Sequence, residues 1–157
     1  MFEDIHARLK GKVVIMGIGN CLRSDDAAGS LLAQRIKEKV PFVVFDAGVA
    51  PENFLEKIVK ERPDTVMIID AVDFKGKPGE SRLFDAQDLK TANLFSTHNS
   101  SITLLFNYLH YNLEVDIIAL FIQPKTIVFG DTVSREVEET LVQWENLFSR
   151  IFRQSSK

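Results

Sequence analysis

The stretch Val13-Val14-Ile15-Met16-Gly17-Ile18-Gly19-Asn20-Cys21-Leu22-Arg23-Ser24-Asp25-Asp26-Ala27-Ala28-Gly29 decides the fold. It opens on a short run of Val and Ile with no apolar/polar alternation. Strands buried on both faces of a parallel sheet read that way. Glycines break the run at Gly17 and Gly19, and a polar loop follows to Asp25 and Asp26. Ala28, Leu31, Leu32, Arg35 and Ile36 then lay a stripe along one face of a helix from about Asp26 to Lys39. Strand, glycine turn and amphipathic helix in sequence form the first half of a βαβ unit.

The pattern repeats outward. Phe42–Phe45, Thr65–Ile69 and Val115–Ile122 are three more short apolar runs. A helix is expected from Pro51, carrying Phe54, Leu55, Ile58 and Val59, since proline suits a first turn. Ile102, Leu105, Phe106 and Leu109 mark a third helix. Val133, Val137, Leu141, Trp144, Phe148 and Ile151 mark a long C-terminal one, with Ser134 as its N-cap. The Lys77-Pro78-Gly79 turn leads into Ser81–Phe84, an expected edge strand. Residues 1–157 therefore read as one α/β domain. Its sheet is expected to be mostly parallel and twisted, of about five strands, with helices on both faces.

Bulk properties exclude several function classes. Apolar residues make up 45% and charged residues 26%, the balance of a globular chain. A net charge of -3 and a pI near 5.6 lack the basic footprint of a nucleic-acid binder. One cysteine, Cys21, makes neither an internal disulfide nor a Cys-rich zinc cluster. No apolar run is long enough to span a bilayer, and Met1 to Lys12 has no signal-peptide form. A cytoplasmic protein without membrane insertion is expected.

Ligands in open α/β sheets bind outside the carboxyl ends of the strands. Here those ends are acidic: Asp25-Asp26 after the first strand, Asp46 on the second, Asp70 and Asp73 on the third. If the first and third strands are neighbours, Asp26 and Asp70 face one crevice. His98, in Ser96-Thr97-His98-Asn99, precedes a helix that could start at the same edge. Two carboxylates and an imidazole form an O,O,N ligand set with open positions, the layout of catalytic metal sites. Plainer roles exist for each residue. Asp25 or Asp26 suits a helix cap, Asp70 a loop-facing strand end, and His98 a polar loop. His6 is expected in a surface turn and His110 at a helix C-terminus.

Two rival chemistries can be weighed on the residues. Gly17-Ile18-Gly19 opens a dinucleotide fingerprint, but Leu22 stands where the third glycine belongs and two acids follow. Cys21, His98 and Asp70 could form a cysteine-hydrolase set.

The ordered motifs resemble one family. Gly17 to Gly29 is similar to the G-x-G-N-x-L-x-x-D-[DE]-x-x-G signature of nickel–iron hydrogenase maturation proteases. Asp46-Ala47-Gly48 with Pro51-Glu52-Asn53, Ile68-Ile69-Asp70-Ala71-Val72-Asp73, Lys77-Pro78-Gly79-Glu80, Thr97-His98-Asn99 and Ile122-Gln123-Pro124 follow in the family's order. The resemblance covers roughly residues 12 to 145. It implies an endopeptidase that removes a short C-terminal peptide from a hydrogenase large-subunit precursor after nickel insertion. It also implies Asp26, Asp70 and His98 as metal ligands and catalytic residues, gathered at a solvent-reachable point. Nickel would come with the substrate, and no organic cofactor is implied. The partner implied is the large-subunit precursor, and the protein is expected to be a monomer. The stretches around Pro51 and Gln123 point toward the subgroup acting on energy-converting or formate-linked hydrogenases. Two departures are Ala27, in place of a common glycine, and Asp26, the shorter of the two acids seen at its position. A checkpoint chaperone that binds the same precursor without cutting it would present the same site.

Overall fold

A computed structural model describes residues 2–91 and 99–153. The elements follow the expected alternation. They are α1 (Phe2–Arg8), β1 (Val13–Ile18), α2 (Ala28–Ile36), β2 (Val43–Gly48), α3 (Leu55–Glu61), β3 (Thr65–Ala71), β4 (Ser81–Asp85), α4 (Ala86–Thr91), α5 (Asn99–Asn112), β5 (Asp116–Ile122) and α6 (Arg135–Ile151). Short 3-10 turns at Ser24–Ala27 and Pro51–Phe54 lead into α2 and α3.

The sheet has five strands in the order β2-β1-β3-β5-β4. β1 pairs in parallel with β2 and β3, and β3 in parallel with β5. β4 returns antiparallel on the outer edge of β5. A chain leaving β3 cannot enter another parallel strand without a crossover, whereas the turn at Lys77-Pro78-Gly79 delivers β4 in the reverse direction. Strand order reverses between β1 and β3, so the carboxyl ends of those two strands flank the switch point.

Alternate residues of the strands divide the core into two layers. Val13, Ile15, Met67, Ile69, Ile118 and Leu120 pack with α1, α2 and α6. Val14, Met16, Val66, Ile68, Ile117 and Phe121 pack with α3 and α5. Both faces of the central strands are dry, which is why they carry no polar alternation.

Two details differ from expectation. Phe2–Arg8 is a helix rather than a terminal segment with His6 in a turn. Ile5 and Leu9, at i and i+4, bury into the α2/α6 layer, and the His6 ring stacks on Phe152 at 5.6 Å. Ala86–Thr91 adds a short helix after β4. Ser134 caps α6, its hydroxyl accepting from the Val137 amide at 3.3 Å.

α2 is fastened to α6 from above the sheet. Arg35 donates two hydrogen bonds to Glu138, at 2.8 and 2.7 Å, and Lys39 pairs with Glu145. Trp144 is fully buried, and its Nε1 donates to Ser81 Oγ at 2.9 Å, tying α6 to the edge strand.

Candidate active site

Asp26 and Asp70 reach the same edge by different routes. Asp70 is the penultimate residue of β3, in register with Phe121 of β5. Even-numbered residues of β3 face the α3/α5 layer, so strand periodicity places Asp70 on that side. The carboxylate is fully buried, and its Oδ1 accepts from the Ala71 amide at 2.8 Å. Asp26 lies in the 3-10 turn between β1 and α2, and this turn packs against β3.

Glycines permit the close approach. A Cβ on Gly29 would overlap the carbonyl oxygens of Ile69 and Ile18, and one on Gly17 would overlap the Gly29 carbonyl. A Cβ on Gly19 would stand 2.6 Å from the Asp26 carbonyl oxygen. The first turn of α2 therefore sits directly on the ends of β1 and β3. Backbone contact at this range admits no side chain, which accounts for the glycine spacing of the signature.

His98 lies outside the described residues. α5 is described from Asn99 and runs back along the sheet into β5. Its 14 residues span about 21 Å at about 1.5 Å per residue, close to the length of β5. Its first turn thus lies at the carboxyl edge, on the face that carries Asp70. Among the described residues, no three His, Cys, Asp or Glu side chains gather into a ligand set.

The acids are less accessible than expected. Asp26 is 5% exposed and Asp70 0%, so both residues are buried. The seating of α2 on the strand ends explains this, because it brings the Asp26 turn down onto β3.

Asp25 has a role that the sequence reading missed. It is not the cap of α2, whose N-terminus has no side-chain cap hydrogen bond. Its buried carboxylate accepts from the backbone amides of Lys125 (2.8 Å), Thr126 (3.2 Å) and Ser134 (2.6 Å), and from the Ser134 hydroxyl (2.8 Å). Such a set replaces the lost hydration of a buried charge. It fixes the 124–134 loop beside the Asp26 turn. Ser24, at a φ of 51°, is held in the left-handed region by its own bonds to that loop. Its amide donates to the Gly130 carbonyl and its hydroxyl to the Val128 carbonyl, at 2.9 and 2.8 Å.

A second clamp steadies the chain after β3. Gln123 is buried, and its Oε1 accepts from the Phe74 and Gly76 amides, both at 3.0 Å. Its Nε2 donates to Asp73 at 3.1 Å. The Lys75 amide, and then Gln123, hold the Asp73 carboxyl below the usual carboxylate range. On the other side of β1, Asp46 accepts from Ser30 and from Gln34. Cys21 is exposed, and its thiol lies 4.0 Å from Ser30 Oγ, a weak sulfur contact.

A family model described as hydrogenase maturation protease (HycI) matches residues 27–150, most of the chain. The chain belongs to the hydrogenase maturation protease family. It is 32% identical over 140 residues to the hydrogenase 3 maturation protease of Escherichia coli K12, covering 88% of this chain and 87% of that protein. A putative hydrogenase maturation protease of Methanocaldococcus jannaschii is 31% identical over 150 residues, with 88% of each chain covered. The crystal structure of a [NiFe] hydrogenase maturation protease HycI from Thermococcus kodakarensis superposes with a TM-score of 0.78 at 30% identity, over 95% of this chain and 98% of that one. The family's fold is thus the five-stranded α/β sheet described above, and its members are endopeptidases. Among the described residues no helix is long and apolar enough to cross a membrane.

Proposed function

We propose that this protein is the endopeptidase that removes a short C-terminal peptide from a nickel-loaded hydrogenase large-subunit precursor. The observation that supports the reading best is the seating of the Asp26 turn on β3. It sets the turn that carries Asp26 against the strand that carries Asp70, within a hydrogenase maturation protease fold. Asp26, Asp70 and His98 are the ligand set for the nickel that the precursor carries. Two hard oxygen donors and one imidazole suit a borderline divalent ion and leave positions for the precursor's own ligands. The protein needs no organic cofactor. It acts in the cytoplasm as a monomer.

The carboxylates serve as ligands first and as an acid/base pair second. Peptide hydrolysis consumes one water: its oxygen bonds to the scissile carbonyl carbon, the C–N bond breaks, and a proton reaches the leaving amine. A carboxylate close to the bond can take the proton from water and return it to nitrogen. Burial strengthens such exchanges by excluding competing solvent.

The test is cleavage of a nickel-loaded precursor, read by mass spectrometry of the released peptide. The unmodified protein should release it. Asp70→Asn and His98→Ala should not, while their thermal unfolding stays close to that of the parent. Binding of the precursor without peptide release by the unmodified protein would favour a checkpoint chaperone. Normal processing by Asp70→Asn would remove Asp70 from the site.

A further inference from the structure

The two loops that flank the candidate site form a clasp with an apolar tip. Gly130 donates its amide to the Leu22 carbonyl and accepts from the Ser24 amide, both at 2.9 Å. Together these bonds make a parallel bridge between Arg23 and Gly130. Arg23 Nε donates to the Ile127 carbonyl at 3.1 Å, and the Asp25 amide donates to the Thr126 carbonyl. Leu22 and Phe129 each immediately precede a bridged residue, so the bridge brings their backbones together, with Val128 next along the chain.

These three side chains are 58%, 84% and 65% exposed. Their backbone is fastened by the buried Asp25 carboxylate and by Ser24, so they are held out on a braced platform rather than on a loose loop. Isolated exposed apolar residues need no explanation, but a contiguous group held rigidly beside an active site marks a contact surface.

The size of the patch indicates its occupant. Three such side chains offer on the order of 400 Å². A stable dimer needs about 800 Å² from each partner. The patch is too small to hold a partner alone and suits one that is gripped at a second point. Leu22 and Asp26 belong to one short loop, so the second point is the acid site itself.

We infer that Leu22, Val128 and Phe129 dock an apolar surface of the large-subunit precursor next to its nickel centre, so that binding energy collected outside the site delivers the scissile segment to Asp26 and Asp70. The inference rests on the function proposed above. A contact remote from the reacting bond that is made equally before and during the reaction lowers KM and leaves kcat unchanged.

The test is steady-state cleavage of the nickel-loaded precursor by a Leu22→Ser/Phe129→Ser double variant, with Tyr111→Ser on the far end of α5 as a surface control. The side chains are exposed, so the double variant should unfold at the parent's temperature. KM should rise about tenfold or more with kcat within about twofold, and Tyr111→Ser should change neither. An unchanged KM overturns the docking role. So does sedimentation showing a parent dimer that the double variant dissolves, since the patch would then join two copies. If the parent releases no peptide, the proposed function fails instead. Precursor binding measured by calorimetry then decides the docking: a loss of about tenfold or more in the double variant upholds it, and equal binding overturns it.

Discussion

The carboxylate of Asp25 holds Ser134 at two points: Oδ1 accepts from its backbone amide at 2.6 Å and Oδ2 from its hydroxyl at 2.8 Å. The same hydroxyl accepts from the Val137 amide as the N-cap of α6. One buried charge in the signature loop thus sets both the start of the C-terminal helix and the position of the loop before it.

Asp25→Ala should leave the Lys125, Thr126 and Ser134 amides without this acceptor. A buried donor that loses its partner costs about 1–3 kcal/mol. The expected loss of stability is therefore about 3 kcal/mol or more, and Asp25→Asn, which keeps an acceptor oxygen, should lose less. Urea unfolding followed by the fluorescence of Trp144, the single tryptophan, measures both. An unchanged midpoint for Asp25→Ala would show that the clamp carries no energy.

Gly29→Ala should be among the most damaging single-methyl changes in the chain. The added carbon meets the carbonyl oxygens of Ile69 and Ile18, which are backbone atoms of two central strands. Overpacking against backbone costs about 1–3 kcal/mol or more, and here the only relief is to lift α2 off the strand ends. That movement carries the Asp26 turn away from β3. Both the melting temperature and the rate of precursor cleavage should fall. A variant that melts normally and still cleaves would refute the close-packing account of this glycine.

Cys21→Ser should process the precursor at the parent rate. The thiol is exposed, and its contact with Ser30 is weak, while Asp70 is wholly buried. Loss of cleavage with an intact fold would instead place Cys21 in the chemistry, as a nucleophile with His98 and Asp70.

The Arg35–Glu138 pair should make a small contribution that disappears in acid. The hydrogen bond from Arg35, and then its charge, hold the Glu138 carboxyl below its ordinary value of 4.5. The same partner raises Arg35. A carboxyl whose folded value is depressed adds stability that is complete above the unfolded value and is lost as pH falls through the folded one. The loss should therefore begin near pH 4.5 and continue below it. The Glu138 side chain is 43% exposed, so the contribution should not exceed about 1 kcal/mol. In Glu138→Gln, stability at neutral pH should drop by that amount, and this component of the acid dependence should vanish. An identical pH profile for parent and variant would show that solvent screens the pair completely.

Local chemistry made much of the molecule readable from the sequence alone. β1 spans Val13–Ile18 as expected, because a strand dry on both faces leaves an unbroken apolar run. β2 and β3 start within a residue of expectation and extend further, through Asp46 to Gly48 and through Asp70 to Ala71. Each acid is thus the last polar exception inside a strand rather than the first loop residue. Glycine spacing and the acids at the strand ends were equally visible, since both are constraints written within a few residues. Contacts that join distant parts of the chain were not visible. The role of Asp25 depends on Ser134, 109 residues away, and a carboxylate looks the same in sequence whether it caps a helix or clamps a loop. The antiparallel return of β4, the helix at Phe2–Arg8 and the bridge between Arg23 and Gly130 likewise depend on which surfaces meet. Burial of Asp26 and Asp70 also belongs to the tertiary structure, because it follows from how closely α2 rests on two strands that residue order by itself does not make neighbours.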